Sequence, residues 1–265
     1  MIHQYTNIHP NAKIANNVTI EAFSTIYDDV EIDEGTWIGP NVTIMSGARI
    51  GKNCKIFPGA VISGTPQDLK YKGENTLTVI GDNTVIRECV TISKGTDDKM
   101  KTVIGSNCLL MAYVHIAHDC TLGDNCILSN GVQVAGHVEI HDSAIIGGTT
   151  AIHQFVRIGS HAFISGGSLV RKDVPPFIKA AREPLSYCGL NAVGLKRRGF
   201  SPELIANLED IYRLIYLKGF NNSKAVNMIL ESVPASEQRD DIIKFVQESP
   251  RGIIKGYGSI NSNGN

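Results

Sequence analysis

Four of the eight histidines, His115, His118, His137 and His153, come together when the chain is wrapped at 18 residues per turn. On that wrap Gly136 lies one turn above His118 and Gln154 two turns above it, with His137 and His153 as their chain neighbours. Successive turns are about 4.8 Å apart, so the four imidazoles would share one edge within roughly 10 Å. An imidazole, which ordinarily titrates at about pH 6.5, can take a proton at neutral pH. Asp119 follows His118 and reads equally well as the partner that holds the ring's tautomer or as a plain corner residue. Gly136 would offer an unhindered backbone N–H to a developing oxyanion. No Ser or Cys outside the interior stands in a nucleophile arrangement with these groups. General-base activation of a bound hydroxyl therefore fits better than a covalent enzyme intermediate.

The wrap follows from the aliphatic pattern. Isoleucine occupies every sixth position from Ile8 to Ile62 and returns in register at Ile80, Ile86 and Ile92. The aliphatic series then runs unbroken from Ile104 to Val170. Neither a helix nor a plain strand has this period; a hexapeptide parallel β-helix does. Four residues after each aliphatic stands a smaller position, such as Val18, Ser24, Cys54 or Ala144, on the same side of a short strand. The position three after the aliphatic is often Asn, Asp or Gly, which tolerate the positive φ of a tight corner. Three such sides close one triangular turn, giving about eight turns and a prism about 40 Å long. The expected fold is mainly β, a left-handed parallel β-helix of hexapeptide repeats with a C-terminal α-helical domain.

No histidine falls at an interior position, so packing in the shaft does not account for them. His3, His9, His141 and His161 read as ordinary surface residues. Cys54, Cys108, Cys120 and Cys126 take the small interior position, and the spacing of Cys120 and Cys126 is that of the repeat, so packing explains them better than disulfides or zinc. A formal net charge of -1 argues against non-specific nucleic-acid binding. The chain shows no apolar run of membrane-spanning length and no charged-then-apolar leader, so a cytoplasmic protein is expected.

Pro175 and Pro176 cannot continue a ladder and are expected to end the repeat. Beyond them, Ser201, Pro202 and Glu203 supply an N-cap, a proline at N1 and an early acid. Leu204, Leu208, Ile211, Leu214 and Ile215 follow at helical spacing, with a stop at Gly219. A second helix is expected from Ser223 and a third between Ala235 and Ser249, before a frayed Gly-, Ser- and Asn-rich tail from Tyr257. The expected division is residues 1–176 for the β-helix, with loops 63–79 and 93–103, and 177–265 for the helical domain and tail. The first loop is read as functional, since loops on rigid scaffolds often are, and the second, short and charged, as a solvated turn.

Several segments are more specific than the repeat: Gln67-Asp-Leu-Lys-Tyr71, His115-Ile-Ala-His-Asp-Cys120, Ala135-Gly-His137, Ile146-Gly-Gly-Thr-Thr-Ala-Ile-His-Gln-Phe155, Asp173-Val-Pro-Pro176 and Gly194-Leu-Lys-Arg-Arg-Gly-Phe200. Through them the chain closely resembles the bacterial UDP-N-acetylglucosamine O-acyltransferase family of lipid A synthesis, over nearly its whole length. The resemblance implies transfer of a 3-hydroxyacyl group from acyl carrier protein to the 3-hydroxyl of UDP-N-acetylglucosamine, with no metal and no separate cofactor. It implies His118 as general base, Asp119 as its partner and the Gly136 amide as oxyanion donor. Asp68, Lys70, His115, His137, His153 and Gln154 match positions that bind the nucleotide sugar or the acyl chain. Asn191, Arg197 and Arg198 match positions near the uridine and phosphates. A homotrimer with active sites between subunits is also implied, with Asp68 acting on a neighbour's histidines.

Val193 departs from the family, which often has an acid there. Gly166 matches a position that sets acyl length, and Phe163 nearby replaces a more flexible side chain. The stacked Gly148 and Gly166 imply a long acyl chain. Arg171-Lys172 and Lys196-Arg197-Arg198 offer positive charge to an acidic carrier protein. Three rival readings are a non-catalytic repeat scaffold, a trimeric β-helical carbonic anhydrase holding zinc on three histidines, and the related N-acyltransferase of lipid A synthesis. The last carries a uridine-binding domain before its repeats, whereas here the repeat begins at about residue 8.

Overall fold

The computed structural model describes residues 1–256; the expected frayed tail from Tyr257 lies outside the described residues. From Asn7 to Val170 the chain is a succession of short strands, most of them two residues long. In the two-residue strands the first residue faces outward and the aliphatic faces in. The strands stack into three parallel sheets. The first runs from Asn7–Ile8 to Leu169–Val170, the second from Lys13–Ile14 to Arg157–Ile158, and the third from Thr19–Ile20 past Phe163–Ile164. Where no loop intervenes, partners are 18 residues apart, as in Thr25 with Thr43 and Gln133 with Ala151. Every side chain therefore sits above its equivalent one turn earlier. The aliphatic columns from Ile20 to Val170 form one continuous buried core. Each buried side chain of this size stabilises the fold by about 1.5–3 kcal/mol, which makes the coil a rigid scaffold for its edges.

The corners take φ near +60°, and not only at Asn53 (φ 55) and Asn107 (φ 57). Asp119 (φ 59), His137 (φ 62) and Phe155 (φ 64) are held in the same left-handed conformation. That costs a residue with a Cβ roughly 1–2 kcal/mol, supplied by the stacked turns on either side. Both insertions leave the corner between the first and second sheets, after Gly64 and after Ser93. This is also the corner that carries His118, one turn above the second loop.

The ladder outlasts the prolines. Pro175 and Pro176 occupy a corner, where a missing N–H breaks no ladder bond, and the third sheet runs on through Ile178–Ala181, parallel to Phe163–Ile164. That strand forms a hairpin with Ser186–Leu190, and Lys255–Gly256 adds a final strand. Four helices follow the hairpin: α1 (Ala192–Arg197), α2 (Pro202–Tyr216), α3 (Asn222–Ser232) and α4 (Glu237–Gln247). Ser201 caps α2 as expected, its Oγ accepting from the Leu204 N–H at 3.2 Å. The cap of α3 is Asn221, two residues before the expected Ser223, and α1 carries no strong sequence signal.

The helical domain covers part of the coil, which corrects the reading of two histidines. His141 meets the Phe245 ring of α4 edge-on at 5.9 Å, and His161 stacks on Phe177 and meets Phe200 edge-on. Neither is a free surface residue. Burial lowers the pKa of both rings, with Arg157 adding to the effect at His141 and Arg198 at His161. No helix among the described residues is long and apolar enough to cross a membrane.

Candidate active site

The corner between the first and second sheets stacks the chemistry-bearing residues turn by turn. His118 begins the group. Its Nδ1 lies 2.8 Å from Asp119 Oδ2, and the carboxylate is fully buried. Thr96 donates to Asp119 twice, from its amide to Oδ1 at 2.9 Å and from its hydroxyl to Oδ2 at 2.6 Å. The Lys99 amide adds a third bond to Oδ1 at 3.3 Å, and the Asp119 N–H donates to Thr102 Oγ1 at 2.9 Å. Burial alone would raise the Asp119 pKa; the bonds from Thr96 and His118 outweigh it and hold the carboxyl below its ordinary value. An ionised carboxylate can only accept. His118 Nδ1 must therefore carry a proton, and in the neutral ring Nε2 is then bare as a proton acceptor.

These bonds overturn the reading of the second loop as a solvated turn. Thr96 and Lys99 lie in that loop and clamp Asp119, and Asp98 places Oδ2 3.1 Å from His137 Nδ1. The charged composition of the loop hid this role. Its small buried threonine was the only available signal. Asp119, left between two readings by the sequence, is both a left-handed corner residue and the partner of His118.

Gly136 lies directly over the imidazole. A Cβ there would stand 2.7 Å from His118 Nε2 and 2.8 Å from Cε1, so no larger residue fits with the ring in place. His118, Gly136, His115, Gln67, Ser93 and Gln133 line a cleft of about 410 Å³ on the first sheet. His115 Nδ1 lies 2.7 Å from Thr91 Oγ1, and burial lowers the pKa of its ring. His137 meets His118 edge-on at 5.0 Å and stacks on Phe155 at 4.5 Å. Phe155 is a neighbour that sequence reasoning missed. Asp68 Oδ2 stands 3.8 Å from His118 Nε2 of its own chain, so that approach does not require a neighbouring subunit.

The other expected residues are placed less closely. Lys70 shapes the first loop through its amide, which donates to Asp68 Oδ1 at 2.9 Å. Gln154 and His153 are exposed on the turn above Gly136 and His137. Asn191, Arg197 and Arg198 belong to a different corner, between the second and third sheets. There Asn191 caps α1 and donates to His161 O at 3.0 Å, and Arg198 donates to Ser143 O at 3.3 Å. Arg197 and Val193 are exposed. Gly166 and Gly148 stack at the third corner, where a Cβ on Gly166 would stand 3.0 Å from Gly148 O. Phe163 lies on the third sheet, paired with Ile145. Arg171 pairs with Glu183 at 3.3 Å.

Burial pushes the Cys54 thiol up to about 11 and the Cys120 thiol up to about 12, so neither offers a nucleophile. His118, Asp119 and His137 place one possible metal-ligand atom each within 4.8 Å of one another. That set is two imidazoles and a carboxylate that already accepts four hydrogen bonds. The zinc reading asked for three imidazoles, and His115 and His153 are directed to other partners.

Known proteins resemble the chain throughout. A family model described as UDP N-acetylglucosamine O-acyltransferase, domain 2, matches residues 173–254, and a six-repeat bacterial hexapeptide transferase model matches 29–64 and 101–136. The acyl-[acyl-carrier-protein]–UDP-N-acetylglucosamine O-acyltransferase of Chlorobaculum tepidum is 57% identical over 203 residues, 76% of this chain and 77% of that one. Its counterpart in Trichlorobacter lovleyi is 48% identical over 259 residues, 96% and 99% of the two chains. The crystal structure of the Bacteroides fragilis UDP-N-acetylglucosamine acyltransferase superposes with a TM-score of 0.95 at 47% identity, covering 96% of this chain and 100% of that one. The Francisella novicida enzyme gives 0.94 at 41% identity, covering 98% and 95%. With relatives this similar over nearly its full length, the chain belongs to the UDP-N-acetylglucosamine O-acyltransferase family.

Proposed function

We propose that the chain transfers a 3-hydroxyacyl group from acyl carrier protein to the 3-hydroxyl of UDP-N-acetylglucosamine, the first step of lipid A synthesis, in the cytoplasm. The observation that carries this reading is the His118–Asp119 pair, with its bare Nε2 facing a cleft beneath Gly136. Nε2 takes the proton of the sugar hydroxyl as its oxygen attacks the thioester carbonyl. Asp119 stabilises the imidazolium that results, and the Gly136 N–H donates to the oxyanion of the tetrahedral intermediate. Collapse breaks the carbon–sulfur bond, and the thiolate leaves with the proton held by His118. His115, His137, His153, Gln154, Asp68 and Lys70 surround the substrates.

Asn191, Arg197 and Arg198 sit too far around the prism to join His118 of their own chain. This supports a homotrimer in which a neighbouring subunit brings them to the nucleotide. Arg171, Lys172 and the run from Lys196 to Arg198 supply positive charge for the acidic carrier protein. The test is incubation with UDP-N-acetylglucosamine and a panel of hydroxyacyl carrier proteins, with products weighed by mass spectrometry. The expected result is a single O-acylated product that His118→Ala reduces by roughly 100- to 10,000-fold. No product, or an unimpaired His118→Ala variant, would overturn the reading.

A further inference from the structure

After α4 the chain returns to the active edge and sets Arg251 against His153. The returning segment is pinned to the last turn of the coil. The Asp173 N–H donates to Gly252 O at 3.2 Å, and the Ile254 N–H donates to Asp173 O at 2.9 Å. Gly252 makes the turn with φ +69°, a conformation glycine adopts without strain. Arg251 Nη2 lies 3.3 Å from His153 Nδ1, and the same ring nitrogen lies 3.1 Å from Gln154 O.

These two contacts cannot both be hydrogen bonds of a neutral ring. A guanidinium only donates, a carbonyl only accepts, and a neutral imidazole nitrogen does one or the other. With a proton on Nδ1, His153 donates to Gln154 O and its Nε2 is an acceptor. With Nδ1 bare, it accepts from Arg251 and the proton must sit on Nε2. Among the described residues, Arg251 makes no other hydrogen bond, and its Nε is buried without a partner. The docked segment holds the guanidinium at His153, and the Asp173 carboxylate attracts it electrostatically from the same turn.

We propose that Arg251 is a positioning residue that selects the Nε2-protonated tautomer of His153, so that His153 presents a donor to a carbonyl or hydroxyl oxygen of the bound substrates. The proposal rests on reading this edge as the acyl-transfer site. One net hydrogen bond shifts a tautomer ratio by about fivefold.

The experiment uses the full chain with ¹⁵N-labelled histidine, at a pH where the imidazole is neutral, comparing wild type, Arg251→Met and Arg251→Lys. In wild type His153 should show a bare Nδ1 and a protonated Nε2. Arg251→Met should move the tautomer ratio about fivefold toward Nδ1–H and raise KM by a smaller factor, in proportion to the lost fraction of the Nε2–H form, with kcat little changed, and Arg251→Lys should restore both. An unchanged tautomer ratio in Arg251→Met would overturn the proposal whatever happens to the activity. A shifted ratio with an unchanged KM would overturn the assignment of His153 as donor. If His118→Ala instead keeps full activity, the acyl-transfer reading fails and the tautomer result stands on its own.

Discussion

Replacing Asp119 with asparagine alters the chemistry of one side-chain position while leaving its shape almost intact. Two backbone amides, from Thr96 and Lys99, point at Oδ1, so that atom must remain an oxygen in the variant. The new NH₂ group then falls where Oδ2 was, facing His118 Nδ1 and Thr96 Oγ1. The threonine hydroxyl can rotate to accept. The imidazole can only answer by becoming an acceptor at Nδ1, which moves its proton to Nε2 and blocks the proton-accepting atom. The charge partner of the imidazolium is lost as well. At 2.8 Å that attraction is about 6 kcal/mol for an effective dielectric of about 20. The His118 side chain keeps 12% of its exposure, so water screens part of it. Losing only half would cost about 100-fold, and converting the carboxylate of a Ser-His-Asp triad to an amide costs about 10,000-fold. Asp119→Asn should therefore lower kcat on the order of 1,000-fold. KM should hold, because Asp119 lies behind the cleft and does not line it. Steady-state kinetics with mass-spectrometric product detection, on protein shown by circular dichroism to be folded, measures both. A kcat within tenfold of wild type would refute the reasoning from tautomer and charge.

Gly136→Ala pushes a methyl group against His118 Nε2 and should cut kcat by about 100-fold, as sub-ångström to 1 Å misplacements do, with only a small change in KM. The Asp119 pKa is held low in the folded chain, so its contribution to stability is fully present above the unfolded value of about 3.9 and is lost as pH falls through the folded one. Denaturant titrations should show a constant gap between wild type and Asp119→Asn above about pH 4, shrinking below it; a gap that widens in acid would contradict this sign. Gly166→Met fills the column beside Gly148 and should shift the preferred donor to a shorter acyl chain, read from a donor panel; an unchanged preference would remove Gly166 from the acyl path. Neutralising Arg171 and Lys172 together should raise KM for the carrier-protein donor and flatten its salt dependence, with KM for the nucleotide sugar unaffected.

The isoleucine period determined the coil, its 18-residue turn and therefore which distant histidines share an edge, because a stacked ladder has only one register that buries every aliphatic. It also showed which cysteines are packing and which histidines are not. Local chemistry marked α2 through Ser201 and Pro202, a start that depends only on neighbouring residues. The period says nothing about chain that leaves it. The path of the second loop back onto Asp119, the approach of Asp68 to His118 within one chain, and the return of Arg251 to His153 depend on contacts between residues far apart in sequence. The same holds for His141 and His161, which are outward-facing in the repeat and become partly covered only because a separate domain packs over them. A repeat places side chains in columns by covalent spacing alone, whereas the partners that set a proton's position arrive from elsewhere in the chain, and only the folded molecule decides where they land.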